Sequence, residues 1–180
     1  MEHEYPPPLR RGLITGFVLV SSFMTQLDGT IANVALPSIQ GSLSATQEQV
    51  SGVVTSYIVA SAIMTPLAGF CATRFGLRRT LSTCVIGFTI VSMMCGAAQS
   101  LDQLVLFRAL QGGFGAALVP VSQAIMMDTY PREEQGKAMA MWGVGTMVGP
   151  ITGPSLGGWL TDEYSWRWVF YINLPVGILC

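Results

Sequence analysis

The sequence predicts an all-α fold, a bundle of helices that cross a membrane several times. Of its 180 residues, 51% are hydrophobic and 11% are charged, whereas soluble domains carry about 25% charged residues. The apolar residues are gathered into runs of roughly 20, the length that a helix needs to cross a bilayer. The basic residues lie mainly between alternate runs. A chain with so little polar surface is suited to lipid rather than to water.

Five complete spans and the beginning of a sixth are predicted. Capping-box patterns at 46–49 and 100–103 mark the starts of the second and fourth spans, and Pro131 precedes the fifth. Pro37 is expected to end the first span and Pro66 to bend the second. The predicted organisation is a cytoplasmic tail at 1–12 and a transmembrane domain at 13–180, with spans at 13–36, 50–72, 81–98, 101–127 and 137–160 and a sixth from 168 onward. Because a helix that stops within the membrane leaves open carbonyls, we expect the chain to be a fragment of a longer protein or a truncated reading frame.

The basic residues also predict how the chain is oriented. Seven of them precede the first span or follow the second and fourth spans, while the alternate loops hold only Arg167. Cytoplasmic loops are enriched in Lys and Arg, so we expect a multi-pass protein of the plasma (inner) membrane with a cytoplasmic N-terminus. Aromatic residues near 159–171 are then expected at the outer interface. The seven basic residues are Arg10, Arg11, Arg74, Arg78, Arg79, Arg132 and Lys137, and the aromatic ones are Trp159, Tyr164, Trp166, Trp168 and Tyr171.

Several classes of function are disfavoured by composition. The net charge of −1 does not indicate a nucleic-acid partner. The four cysteines lie in apolar stretches without a C-x-x-C pair, and the single histidine, His3, lies in the polar tail. We therefore expect no metal site, no disulfide framework and no cofactor. A membrane-embedded enzyme would need a nucleophile and base or metal ligands within the spans, so the chain is not expected to be an enzyme.

Two charged residues fall inside the predicted spans, Asp28 in the first and Arg108 in the fourth. A charge at the bilayer centre costs ~2.5–3.5 kcal/mol on insertion scales, so both are candidates for a functional site. Their positions place them within about one helical turn of each other in depth, in the outer half of the membrane. We hypothesise that they face a shared polar cavity and couple electrostatically, so that Asp28 can take up and release a proton. The alternative is a static ion pair that only orients the helices.

The fifth span carries four glycines at strict intervals of four, accompanied by two prolines. Glycines at this spacing form one stripe along a helix and allow another helix to approach closely. The prolines free backbone carbonyls and bend the span. This pattern favours a bent helix at a moving or sealed interface, while plain helix packing is the alternative. The residues are Gly145, Gly149, Gly153 and Gly157 with Pro150 and Pro154.

A short cytoplasmic loop is predicted between the second and third spans, at 69–79. Glycine permits a tight turn there, and the arginines could bind helix C-termini or acidic partners. A solvated cluster that only sets the orientation is the alternative. The candidate residues of this loop are Gly69, Arg74, Gly76 and Arg78.

Five segments together resemble the major facilitator superfamily, and in particular its 14-span drug:proton antiporters. The segment at 27–37 resembles that group's first-span motif, 69–79 the superfamily's loop signature, and 104–116 its fourth-span arginine motif. The glycines and prolines at 145–158 resemble the fifth-span antiporter motif, and 166–175 resembles the start of the sixth span. The loop segment departs from the family's pattern at Thr73, where an acidic residue is usual, and at Leu77, where a basic one is frequent.

The resemblance implies the N-terminal half of a transporter built from two six-helix halves that alternate access to the two sides of the membrane. By carry-over, Asp28 and Arg108 belong to proton coupling. Gln111 and Asn33 are named as candidates for the substrate cavity. The glycines and prolines of the fifth span would shape the interface between the halves. Arg74, Gly76 and Arg78 would stabilise an outward-facing state. The missing C-terminal half would be an obligatory partner.

The function implied is proton-coupled efflux of small lipophilic or cationic compounds across a lipid bilayer. Export of a specific metabolite or siderophore, or uptake, remains open as an alternative within the transporter class. A further alternative is an inactive fragment that lacks its second half. The substrate itself cannot be predicted, because residues that line a cavity and residues that face lipid are both apolar.

Overall fold

A computed structural model describes residues 7–180. Residues 1–6 of the predicted tail, which include His3, lie outside this range. The described part is helical, in agreement with the predicted fold class. Its helices are α1 (Pro8–Ser42), α2 (Gln47–Phe75), α3 (Leu77–Ala97), α4 (Leu101–Thr129), α5 (Gln135–Glu163), α6 (Trp168–Tyr171) and α7 (Asn173–Leu179). By length and composition, α2, α3 and α4 are long and apolar enough to cross a membrane. The other two long helices, α1 and α5, contain more polar and glycine residues.

Helix α4 lies at the centre of the bundle. Helices α2 and α3 pack against it along their lengths, and α1 packs against both α4 and α5. The short helices α6 and α7, separated by Ile172, form one apolar stretch against α1 and α3. This arrangement brings α1, α3, α4 and α7 together in the core.

The predicted starts of α2 and α4 are confirmed, but the capping box is complete only at the first of them. Thr46 Oγ1 accepts a hydrogen bond from Gln49 N at 3.3 Å while Gln49 Oε1 accepts one from Thr46 N at 2.9 Å, the reciprocal pattern of a capping box. Ser100 Oγ accepts from Gln103 N in the same way, but Gln103 Oε1 accepts from Gln99 N instead. The predicted stop at Pro37 is wrong, since α1 continues to Ser42. Membrane helices tolerate an internal proline because their neighbours compensate for the lost hydrogen bond.

The segment at 69–79 is helical rather than a loop. Helix α2 runs to Phe75 and α3 begins at Leu77, so that Gly76 alone connects the two helices. Gly76 has a φ of +89°, a conformation that side chains with a Cβ rarely adopt and that glycine adopts freely. The single glycine therefore makes the turn, and the rest of the motif extends the helices on either side.

Side chains at both ends of the bundle match the predicted alternation of loops. At one end, Arg11 lies 3.5 Å from Glu134 in the α4–α5 connection, an ion pair that places the start of α1 beside that loop. At the other end, Arg167 Nη1 donates to Gly96 O at 2.7 Å and to Ala98 O at 2.6 Å. A cation at the C-terminus of α3 satisfies open carbonyls and favours the helix dipole. The one basic residue of the alternate loops thus has a structural role.

Candidate functional site

Asp28 and Arg108 meet in the core of the bundle. Asp28 lies near the middle of α1 and is 0% exposed, and Arg108 lies two turns into α4 and is 1% exposed. Arg108 Nη1 donates to Asp28 Oδ2 across 2.6 Å. Charge-assisted hydrogen bonds of this length are among the stronger ones in proteins. The two charges predicted at one depth therefore form a direct, fully buried ion pair.

Gln111 bridges the two members of the pair. Its Oε1 accepts from Arg108 Nη1 at 2.8 Å, and its Nε2 donates to Asp28 Oδ1 at 2.9 Å. Because the amide oxygen faces a donor and the amide nitrogen faces an acceptor, only one orientation of this amide satisfies both neighbours. Gln111 is 0% exposed, so in this conformation it presents no surface to a substrate and serves the ion pair instead.

The guanidinium is also held by groups other than the carboxylate. Arg108 Nε donates to Val53 O at 3.4 Å. Its Cζ lies 4.3 Å from the centre of the Tyr57 ring and 5.7 Å from the centre of the Phe170 ring. Aromatic faces stabilise a cation at such distances, and more so when water is excluded. Arg108 therefore keeps favourable contacts that do not depend on the charge of Asp28.

The carboxylate receives a third hydrogen bond from the far end of the chain. Asn173 Nδ2 lies 2.9 Å from Asp28 Oδ1 and 2.9 Å from Ser92 Oγ. Ser92 in turn donates to Phe170 O at 2.9 Å, and Cys95 Sγ lies 3.6 Å from Gln111 Oε1. We call the group of Asp28, Arg108, Gln111, Asn173 and Ser92 the polar cluster. It ties α1, α3, α4 and α7 together.

Several members of this site were not predicted from the sequence. Tyr57, Ser92, Cys95 and Asn173 were not singled out, although Asn173 carries the same signal as Asp28, a strongly polar group within an apolar stretch. The polar cluster is also sealed, whereas the hypothesis placed its charges on a shared polar cavity. A cavity of about 650 Å³ lies elsewhere, between α2, α3 and α4, and its lining is mostly apolar.

Asn33 does not join the polar cluster. Its side chain is exposed and donates to Gly29 O of the same helix at 2.7 Å. Its place in a substrate cavity remains a prediction.

The glycine stripe of α5 packs against α1. A Cβ added at Gly149 would lie 2.8 Å from the backbone nitrogen of Leu27, and one at Gly157 would lie 2.7 Å from Ile31 Cγ1. Gly145 and Gly153 meet Leu19 and Thr30 of α1 in the same way. The stripe is thus a contact within this bundle. Pro150 and Pro154 lie in the same helix but are exposed. A role of this motif at an interface with another half remains a prediction.

The arginines of the 69–79 segment lie on the surface. Arg74 lies in the last turn of α2 and Arg78 in the first turn of α3, and both are exposed, as are Gly69 and Gly76. Arg79 lines one end of the 650 Å³ cavity. None of these positions contacts the polar cluster.

Comparison with known proteins places the chain among transporters. Residues 18–180 match the family model described as the Major Facilitator Superfamily. The multidrug export protein EmrB of Haemophilus influenzae is 42% identical over 175 residues, covering 96% of this chain and 34% of that protein. The fatty acid resistance protein FarB of Neisseria gonorrhoeae is 42% identical over 180 residues, covering 98% of this chain and 35% of that protein. The chain thus spans about a third of the length of the curated relatives it matches.

Solved structures share the fold at low sequence identity. A bacterial homologue of the human lysosomal transporter Spinster, inward-facing and occupied, aligns with a TM-score of 0.81 at 23% identity, over 97% of this chain and 44% of that one. The inward-open xylose transporter XylE from E. coli aligns with a TM-score of 0.80 at 16% identity, over 94% of this chain and 46% of that one. At such identities the likeness concerns the fold alone.

Proposed function

The chain belongs to the major facilitator superfamily and has the fold of its N-terminal half, and we propose that it is part of a secondary active transporter that exports small lipophilic compounds in exchange for protons. The observation that carries this proposal is the sealed Asp28–Arg108 pair. Two charges removed from water cost several kcal/mol each in desolvation. A purely structural contact of the same volume could be made by apolar residues at no such cost.

The proton step follows from the contacts of the pair. When Asp28 takes up a proton, the ion pair loses its negative member, and a lone cation remains in the core. Tyr57, Phe170 and the Val53 carbonyl stay in place around the guanidinium. They lower the cost of that cation, so a state with protonated Asp28 is accessible. The weakened attraction between α1 and α4 then allows the bundle to change conformation.

A substitution at Asp28 tests this role. In inside-out membrane vesicles that hold this chain assembled with its second half, Asp28→Asn keeps the shape of the side chain but cannot exchange a proton. We expect it to abolish pH-driven accumulation of ethidium, a fluorescent lipophilic cation, and to abolish the release of protons on ethidium addition. Asp162→Asn, the same change at an exposed acid of α5, should leave both unchanged. Accumulation driven by pH in the Asp28→Asn vesicles would refute the proton-carrier role.

The substrate class rests on the relatives. Their names refer to multidrug export and to fatty acid resistance, and we extend to this chain the export of small lipophilic or cationic compounds. Export of one metabolite or siderophore is the alternative. Competition between structurally unrelated drugs for ethidium export supports the broad class, whereas inhibition by a single compound supports the narrow one.

The second half is proposed as a partner. The curated relatives are about three times as long as this chain, and the described polar cluster has no open face to either side of the membrane. These 180 residues alone should therefore give no ethidium accumulation, as an inactive fragment would. Supplying the second half should restore it.

The proposed location is the plasma (inner) membrane with the N-terminus in the cytoplasm. The Arg11–Glu134 pair places two of the basic segments at one end of the bundle, opposite Arg167. Labelling of single cysteines introduced at Lys137 and at Glu163 by an impermeant thiol reagent tests this orientation. Only the cysteine at 163 should react from outside intact cells.

A further inference from the structure

The side-chain nitrogen of Asn173 donates hydrogen bonds, whereas its side-chain oxygen has no hydrogen-bond partner among the described residues. Asn173 is 0% exposed, and its Nδ2 donates to both Asp28 Oδ1 and Ser92 Oγ at 2.9 Å. Its Oδ1 is buried and has no hydrogen-bond partner within residues 7–180. Buried carbonyl oxygens are rarely left in this state, and each such case calls for an explanation.

The hydrogen-bond needs of Asp28 change when it is protonated. An ionised carboxylate only accepts, and a protonated carboxyl also donates. The neighbours of Asp28 in this structure are all donors, namely Arg108, Gln111 and Asn173. A proton on either oxygen would therefore face another proton, unless one neighbour turns into an acceptor.

Of the two side-chain amides beside Asp28, Gln111 and Asn173, only that of Asn173 can turn its oxygen toward the carboxyl group without a new conflict. Inversion of Gln111 would aim its Nε2 at the Arg108 guanidinium, a contact between two donors. Inversion of Asn173 would instead bring its unpartnered Oδ1 to the place of Nδ2. The Ser92 hydroxyl, which donates to Phe170 O, can then turn to donate to that Oδ1.

We propose that the Asn173 side chain inverts with the protonation of Asp28, so that it donates to the carboxylate and accepts from the carboxylic acid. A proton from solution forms the O–H bond at Asp28 Oδ1, no other covalent bond changes, and the cluster gains one positive charge. Asn173 is a positioning residue, since it carries no proton itself. The inference rests on the proposed proton coupling of Asp28 and extends it to α7.

The Tyr57 hydroxyl and the Cys95 sulfur can also accept, but Asp28 is hydrogen-bonded only to Arg108, Gln111 and Asn173 among the described residues. The titratable side chains that face it are Arg108 from α4, Tyr57 from α2 and Cys95 from α3. Helix α5 approaches α1 here through glycine backbone, and α6 and α7 contribute Phe170 and Asn173, neither of which titrates. The inversion of Asn173 is thus the local response that the described contacts allow.

Infrared difference spectra between acidic and neutral pH test the inference on the assembled protein in lipid. A carboxylic-acid band that disappears in Asp28→Asn identifies the protonated Asp28. We expect this band to move to higher wavenumber in Asn173→Leu, because the acid loses its acceptor. Thr89→Val removes a buried hydroxyl that lies against Gly177 of α7 and donates to Val85 O of its own helix and to Met24 Sδ of α1, but not to the polar cluster. It should leave the band in place.

The outcomes separate the inference from the function on which it rests. If no Asp28 band appears, the proton coupling itself is wrong. If the band appears and Asn173→Leu does not move it, the coupling stands and the inversion is wrong. Should Asn173→Leu not fold, protein labelled with ¹³C at the asparagine side-chain carbonyl gives a second readout. Its amide band should shift between neutral and acidic pH, over the same range in which the Asp28 band appears. An amide band at the same wavenumber at both pH values would overturn the proposal.

Discussion

Two faces of α1 contact their neighbouring helices through different kinds of interaction, one polar and one steric. Toward α4 and α7, α1 is held by charges and hydrogen bonds around Asp28. Toward α5, it is held by close contact with glycines, where a single methyl group would collide with the α1 backbone. A proton changes the first contact because it removes a charge, but it cannot change the second, which depends on shape. In the mechanism proposed above, a proton would therefore act at the contact of α1 with α4, and the close contact of α1 with α5 would stay unchanged.

Of the changes at these two faces of α1, removal of the Arg108 charge should reduce the free energy of unfolding most. Arg108→Leu leaves Asp28 buried without its cation, and loss of one partner of a buried pair costs about 3–5 kcal/mol. We expect that loss in the free energy of unfolding, measured with denaturant in detergent. The double variant Asp28→Asn, Arg108→Leu should recover most of it and remain inactive in transport. A single variant as stable as the unaltered protein would show that the pair is not sealed from water.

A methyl group on the glycine face should have a smaller effect that does not depend on pH. Gly149→Ala places a Cβ 2.8 Å from Leu27 N, and overpacking of this kind costs about 1–3 kcal/mol. Gly143→Ala in the same helix meets nothing within 4 Å and should be neutral or gain up to about 1 kcal/mol, since alanine favours helix. Unfolding free energies at two pH values check both variants. Equal losses at Gly143 and Gly149 would contradict the close contact.

The aromatic support of Arg108 should give the smallest effect. Tyr57→Leu removes the ring at 4.3 Å from the guanidinium, a contact worth about 0.5–2 kcal/mol. We expect a larger loss of stability at acidic than at neutral pH, because the ring matters most when Asp28 is protonated and Arg108 stands alone. Tyr57→Phe keeps the ring and should behave as the unaltered protein. A pH-independent loss would remove Tyr57 from the proton step.

The helices and the ion pair could be predicted because each leaves a mark in a single stretch of sequence. Runs of apolar residues marked the helices, and a charge within such a run marked Asp28 and Arg108. The capping box at the start of α2 could be predicted for the same reason, because its two partners, Thr46 and Gln49, lie within one turn of the chain. The end of α1 could not be predicted from Pro37, because neighbouring helices decide whether a proline is tolerated.

The rest of the site depends on which faces of distant helices meet. Gln111 was singled out, but its partner Asp28 lies on α1, 83 positions away in the chain. Asn173 lies 145 positions from Asp28, and no local pattern connects the two. The glycine stripe predicted a close neighbour without showing that the neighbour is α1. Contacts of this kind become visible only once the bundle is assembled.

The single-residue connection at Gly76 has a consequence for the shape of the bundle. Helices α2 and α3 are joined at Gly76 and both pack against α4, with the 650 Å³ cavity between the three helices. The space is therefore a wedge whose apex is closed by the polypeptide itself. Phe75 and Arg79 flank that apex, so the two helix ends cannot part there, and the wedge can widen only by a swing of the far ends.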